Sequence, residues 1–551
     1  MSNKKSSTSF LVQGSILAMA SIISRIIGLV YRIPLTAIIG NKGNDYYGCA
    51  FEIYNILLII SSYSLPLAVS KLVSADMSLG RKKNVYRILK CALTFGLVSG
   101  TIAALILFFG AEFITGTIMK TPYSIFAVKV LVPTLIVVAV LGVLRGFFQG
   151  LGTMMPSAVS QILEQIANAI VSVWAAYVLY NYGTKVGAVL GNTENYAAAY
   201  GAAGGTLGTG TGAVIGLLFA TFVLIAYLSV FKRQMKRERR AKVDSYSYIF
   251  KILFITIIPV LMSTTIYNCN AILDQAIFKN IANLQGYSAN DISEWNGIYT
   301  GKYKTLINVP ISIASALAAS SVPALTAAYT NGKKDAVRAQ INTAIRFIMV
   351  VAFPCAVGMG VLASPILQLL FRDSSELAAS MLQLGAVSIV FFSLSTLSNG
   401  LLQGINRMRE PVKNALIALV LHIGLLVVLM YAFKLNIYAV VYANAFFGLL
   451  MCLLNAYSVR KYSGYQQEIK RTFVIPGISA LIMGVAVYLS YQLFLYILRV
   501  NAIATVFSIL IGVVVYAVVL LLLKGLTEEE ILKFPKGAAL VRLARKLHLL
   551  R

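Results

Sequence analysis

Two arginines, Arg25 and Arg32, stand seven residues apart in the apolar stretch "SIISRIIGLVYRIP" (21–34). Seven residues are two helical turns, so on a helix the pair shares one face, about 10 Å apart along the axis. A guanidinium at the centre of a membrane helix costs ~2.5–3.5 kcal/mol on the insertion scale. Two on one stripe are retained where something anionic meets them. For Arg32 a simpler reading stands beside this one: Pro34 is close, and the side chain can snorkel to the headgroups.

A second cationic pair, Lys302 and Lys304, opens the apolar run "GIYTGKYKTLINVPISIASALAAS" (297–320). Positions two apart point about 200° apart on a regular helix, so only one of them can face inward while the other anchors at the interface. Four acids are embedded in apolar segments: Asp45 and Glu52, again seven apart, Glu164 and Asp274. Glu52 reads as the partner of an arginine in a buried ion pair. Glu164 and Asp274 fit either a helix-to-helix pair or a site for a cation or a proton. Asp274, with Asn270 one turn away, offers the oxygen ligands that a hard cation takes, although two side chains do not make a metal site.

The elements that carry these residues are membrane spans. The chain has 551 residues, 58% hydrophobic and only 12% charged, with a mean hydropathy of +0.80. Soluble domains are about 25% charged. A window of about 20 apolar residues finds fourteen segments: 12–39, 47–75, 86–112, 122–148, 157–182, 200–231, 247–275, 297–328, 336–363, 377–403, 411–433, 436–459, 473–497 and 500–524. These runs are too long and continuous for barrel strands. The start "MSNKKSSTSF" with "AMA" (18–20) mimics a secretory signal, but the apolar run continues to Ile39 and predicts an uncleaved first helix. The five cysteines lack a CxxC pair and read as small buried apolar groups.

The net charge of +28 is no nucleic-acid signature, because the basic residues are scattered in short clusters between apolar runs. They fall in alternate loops, such as "GRKKN" (80–84), "KRQMKRERRAK" (232–242), "NGKKD" (331–335) and "VRKYSGYQQEIKR" (459–471). The intervening loops, "GNTENYAAAYGAAGG" (191–205) and "NLQGYSANDISEWNG" (283–297) among them, are poor in Lys and Arg. The positive-inside rule then predicts both termini in the cytoplasm.

The chain also repeats itself. "RGFFQGLGTMMPSAVSQI" (145–162) resembles "NGLLQGINRMREPVKNALI" (399–417), and "VSADMSLGRKKNVYRI" (73–88) resembles "LTAAYTNGKKDAVRAQ" (325–340). Gly80 to Gly332 is 252 residues and Gly150 to Gly404 is 254. Near-equal offsets at two places imply two parallel six-helix halves. The expected organisation is an all-α polytopic membrane protein: a first lobe at 1–231, a basic linker at 232–246, a second lobe at 247–460, an added helix pair at 461–524 and a basic tail at 525–551. No nucleotide loop, GxSxG or HExxH is present. That predicts a secondary transporter rather than an enzyme.

"SRIIGLVYRIPLTAIIG", "GNDYYGCAFEIYNILL", the paired QGxxxxxP elements and the order of the fourteen segments resemble the MurJ-type lipid II flippases. These belong to the multidrug/oligosaccharidyl-lipid/polysaccharide exporter superfamily, and the chain looks most like the YtgP/SpoVB branch. The resemblance implies a V-shaped pair of lobes with a cationic cavity. Alternating access there moves an undecaprenyl-diphosphate-linked cell-wall precursor from the inner to the outer leaflet of the bacterial plasma membrane. It implies that Arg25 occupies the family's SRxxG arginine position. A second family arginine, six residues on, falls on Tyr31, with Arg32 one place away. The family's acid at the start of the second span falls on Asp45. Its eighth-span arginine has no arginine here, and Lys302 or Lys304 is nearest. The resemblance further implies a prenyl-tail groove at the last two spans and, in some members, a sodium site to which Asp274 would contribute.

Arg25, Arg32, Lys302 and Lys304 are thus the candidate diphosphate ligands, since a guanidinium fork meets phosphate oxygens in bidentate fashion. Asp45 and Glu52 support them. Asp274, Asn270 and Glu164 are candidates for a coupling sodium ion or proton, and no other cofactor is called for. The expected partners are the bilayer and the lipid-linked saccharide, for a chain acting as a monomer. Another polyprenyl-linked oligosaccharide of capsule, exopolysaccharide or spore wall is an alternative cargo. A multidrug antiporter of related fold and a wall-assembly scaffold are more distant alternatives.

Overall fold

The computed structural model describes residues 2–236, 238, 243–528 and 537–546. Parts of the expected linker (237 and 239–242) and tail (529–536 and 547–551) lie outside the described residues. Those described are helical almost throughout. They pack as two compact units, Met1–Gly301 and Lys302–Arg551.

The first unit holds α1 (Ser2–Leu58), α2 (Leu65–Ser78), α3 (Lys82–Glu112), α4 (Ile125–Gly150), α5 (Met155–Leu190), α6 (Thr193–Lys236), α7 (Tyr246–Leu284) and α8 (Ala289–Ile298). The second holds α9 (Lys304–Thr330), α10 (Lys334–Val361), α11 (Ala363–Phe371), α12 (Glu376–Gly385), α13 (Ser388–Gly404), α14 (Arg409–Tyr431), α15 (Ile437–Ser463), α16 (Ile475–Leu498), α17 (Asn501–Leu522) and α18 (Gly537–Lys546). Among the described residues, ten helical stretches are long and apolar enough to cross a membrane, or eleven if α12 and α13, bent by 45°, form one span. One of the ten, Met19–Ser78, takes in most of the first apolar segment (12–39) and all of the second (47–75). This is a multi-pass membrane protein.

Three local features differ from the sequence reading. The first two segments are not separated by a loop but by one residue, Gly40, at φ 68° and ψ −174°. A positive φ favours glycine. Asn44 donates its side-chain amide to the Gly40 carbonyl at 2.7 Å and sits 3.2 Å from Thr36 Oγ1, which ties the two sides of the break together. Next, the segment 191–205 is mostly helix, since α6 begins at Thr193. Its alanines and glycines lie directly against α5, where a Cβ on Gly183 would come within 2.6 Å of the Tyr196 carbonyl. Finally, the segment 283–297 carries α8, whose N-cap Ser288 accepts the Asp291 amide.

The repeated glycines have a common packing role. A Cβ on Gly146 would stand 2.6 Å from the Pro66 carbonyl oxygen, and one on Gly150 would stand 2.6 Å from Val73 Cβ. In the second unit, Gly400 meets Ala318 at 2.8 Å and Gly404 meets Leu325 at 2.9 Å. Pro66 to Ala318 and Val73 to Leu325 are both 252 residues. Each half therefore uses a Gly-xxx-Gly face to bring two helices into close contact, α4 on α2 and α13 on α9. Gly146→Ala should cost about 1–3 kcal/mol by overpacking, because backbone rather than a movable side chain blocks the site. Gly142→Ala should be tolerated, since its Cβ would make ordinary contact with the Pro66 ring at 3.5 Å. Thermal melting of the two variants in detergent checks the contrast.

The far end of the basic linker is held to the first unit. Asp244 accepts from Asn84 at 2.8 Å and pairs with Arg81 at 3.4 Å, and its carbonyl accepts from Arg87 at 2.9 Å. The helix beyond it, α7, packs within the first unit against α1, α2 and α3.

Candidate functional site

The embedded charges divide into those that neutralise one another and those that do not. The most deeply buried pair is Asp45 with Lys279, each 1% exposed. Asp45 lies in the second half of α1, and Lys279 lies on α7. The Lys279 ammonium donates to Asp45 Oδ1 and to Thr121 Oγ1, both at 2.6 Å. Asn296 donates to Asp45 Oδ1 at 2.7 Å and Ser293 to Oδ2 at 2.8 Å, both from α8. Four donated hydrogen bonds thus hold the two charges together where an isolated ion would be strongly penalised. Beside the pair is a small cavity of about 140 Å³, lined in part by Tyr46, Asn195 and Asn283. Lys279 was missed by the sequence reading. The available signal was a single lysine within "AILDQAIFKNIANL", which requires a partner once it is buried in an apolar segment.

Glu164 is also spent on a partner. Arg145, at the start of the first QG element, donates to Glu164 Oε2 at 2.7 Å and to Ser160 Oγ at 2.8 Å, joining α4 to α5. Lys302 pairs with Asp373 at 2.5 Å. It sits in a wide turn, Tyr299–Tyr303, that interrupts regular helix geometry just before Lys304, so the 200° rule for a continuous helix does not govern the two lysines. Lys302 is buried and Lys304 only partly so. Asp373 lies between α11 and α12. Burial raises its carboxyl pKa, but hydrogen bonds from Lys302 and the Ser375 amide outweigh that and hold it below the ordinary value.

Arg25 and Arg32 differ from these. Neither has an ion pair among the described residues. Arg25 is exposed on the first half of α1. Arg32 is half-buried, with its guanidinium 4.4 Å from the centre of the Tyr47 ring. A cation over an aromatic face keeps its full charge. Tyr31 points instead into the unit, where its hydroxyl accepts from Asn168 on α5 at 3.4 Å. Glu52 is half-buried in the same helix as Arg32. On α7, Asp274 is buried and Asn270, one turn earlier, is half-buried. The structure therefore brings Asp45 to a lysine, Glu164 to an arginine and Lys302 to an aspartate. It leaves the two first-span arginines with their charge uncommitted.

Comparison with known proteins bears on what such a chain is. The family model described as "Polysaccharide biosynthesis protein" matches residues 11–329, and the MatE model matches 304–428. Lipid II flippase MurJ of Bacillus subtilis (strain 168) is 27% identical over 520 residues, covering 88% of this chain and 91% of the relative. Stage V sporulation protein B of the same organism is 25% identical over 462 residues, covering 84% of this chain and 85% of the relative. Among solved structures, lipid II flippase MurJ in an inward closed conformation matches with a TM-score of 0.63 at 15% identity, over 91% of this chain and 97% of that one. The fold, the order of the helices and a family match across more than half of the sequence agree: this chain belongs to the polysaccharide biosynthesis protein family.

Proposed function

We propose that this protein carries lipid II, the undecaprenyl-diphosphate-linked cell-wall precursor, from the inner to the outer leaflet by alternating access. The observation that carries the reading is the charge of Arg25 and Arg32, which no ion pair among the described residues neutralises, set against Asp45, Glu164, Lys279 and Lys302, which are paired. Two uncommitted guanidinium groups on one stripe suit the two phosphates of a diphosphate. Lys302, held by Asp373, is not counted in this stripe. The near end-to-end similarity to a protein named lipid II flippase supports the same cargo.

The membrane potential supplies ~2.3 kcal/mol per charge per 100 mV, and in a cell negative inside it favours outward movement of an anionic headgroup. A sodium ion or proton on Asp274, with Asn270 beside it, would reset the empty carrier. Reconstituted vesicles with and without each gradient test that role, and a rate indifferent to both removes it.

The central test is genetic. In cells depleted of their essential lipid II flippase, supplying this gene should restore growth and wall synthesis. No rescue, with the protein present in the membrane at normal abundance, overturns lipid II as the cargo. A second reading, transport of another polyprenyl-linked saccharide, is favoured by the similarity to stage V sporulation protein B. It expects no rescue together with loss of a spore-wall or exopolysaccharide layer when this gene is deleted.

A further inference from the structure

The second unit contains a cavity of about 800 Å³ between α10, α13, α15 and the segment that leads into α16. Its size is within the ~300–1,000 Å³ range of small-molecule pockets. The walls are apolar, with Ile345 and Phe353 from α10, Phe391 and Leu394 from α13, Leu453 from α15 and Phe473 beyond it. One part of the lining is polar and carries Arg460, Gln466 and Gln467. Arg460 is exposed and has no ion pair among the described residues. Glu468, the acid closest in sequence, is held by Arg346 and by Asn342. Gln467 Nε2 is sealed from solvent with no hydrogen-bond partner. A buried donor left unpaired costs about 1–3 kcal/mol, and an acceptor placed beside it removes that cost.

The cavity thus combines an apolar body with one free cation and one orphaned donor. Arg460 lies in the last turn of α15, and Gln466 and Gln467 follow its C-terminus, all within the basic stretch 459–471. By the loop-charge pattern that end belongs to the cytoplasmic side, where anionic lipids gather and basic pockets between helices hold their headgroups. We propose that this cavity binds one anionic glycerophospholipid of the bilayer, with an acyl chain between α10, α13 and α15 and its phosphate at Arg460 and Gln467. The lining includes no residue of α17, and it meets the last two spans only at Phe473, where the thirteenth segment begins. The proposal does not depend on which saccharide-lipid the protein carries.

Full-length protein in nanodiscs, photolabelled with phosphatidylglycerol or phosphatidylcholine bearing a diazirine in one acyl chain, tests this. Mass spectrometry should place the phosphatidylglycerol label on Phe391, Leu453 or Phe473. Arg460→Gln should reduce that labelling about fivefold while leaving the weaker phosphatidylcholine labelling unchanged, as expected for one interfacial cation. Ala456→Trp, which fills the cavity, should abolish labelling by both at an unaltered melting temperature. Because Arg460 is exposed, its variant reads the site even where Ala456→Trp fails to fold. Equal labelling by the two lipids, or labelling indifferent to Arg460→Gln, overturns the proposal. Displacement of the probe by equimolar undecaprenyl diphosphate, but not by unlabelled phosphatidylglycerol, also overturns it and assigns the cavity to a prenyl lipid.

Discussion

Lys279→Met should lower the stability of the protein by about 3–5 kcal/mol, the usual consequence of removing one partner from a buried ion pair. Lys279 and Asp45 are each 1% exposed, so water cannot take over the role of the missing ammonium. Asp45 would keep its hydrogen bonds from Ser293 and Asn296, which places the loss toward the lower end of that range. Thr121 would lose a donor as well. Adding Asp45→Asn should recover at least half of the loss, because the charge that Lys279 compensates is then gone. Melting temperatures in detergent for the two single variants and the double variant give the coupling directly. A double variant as unstable as Lys279→Met would mean that packing, not charge, holds this region together.

Arg25→Ala should do the opposite, with little change in melting temperature or membrane abundance and a large loss of transport. The side chain is exposed and holds no ion pair among the described residues, so the fold has little to lose. A hydrogen bond to a charged group is worth about 1.5–3 kcal/mol, which converts to a roughly ten- to hundredfold fall in rate. Arg25→Lys should recover part of it, since an ammonium keeps the charge but lacks the planar fork. Arg32→Ala removes the contact with Tyr47 as well and should cost a further ~0.5–1 kcal/mol of stability. Complementation measured beside membrane abundance separates the effects. An Arg25→Ala protein that transports normally would take Arg25 out of the binding stripe.

What was legible in the sequence was what hydropathy and local spacing encode. The spans of lipid-compatible length and the seven-residue spacing of Arg25 and Arg32 are properties of neighbours along one helix, and the repeat shows when the sequence is compared with itself. The offset of 252 residues relating Gly80 to Gly332 recurs in the tertiary contacts, from Pro66 to Ala318 and from Val73 to Leu325. Helix continuity was harder to read. At 191–205 small residues mark close packing as readily as they mark a loop, and only the contact with α5 separates the two. That Glu164 could join two helices was legible, but the identity of each charge's partner was not. Asp45 and Lys279 are 234 residues apart, Lys302 and Asp373 are 71 apart, and even Glu164 and Arg145 lie on different helices. A buried charge selects its partner by which helix faces meet and at what depth, and no single helix carries that information. Tertiary packing therefore decided which embedded charges hold the fold together, and so which arginines are left without an ion pair among the described residues.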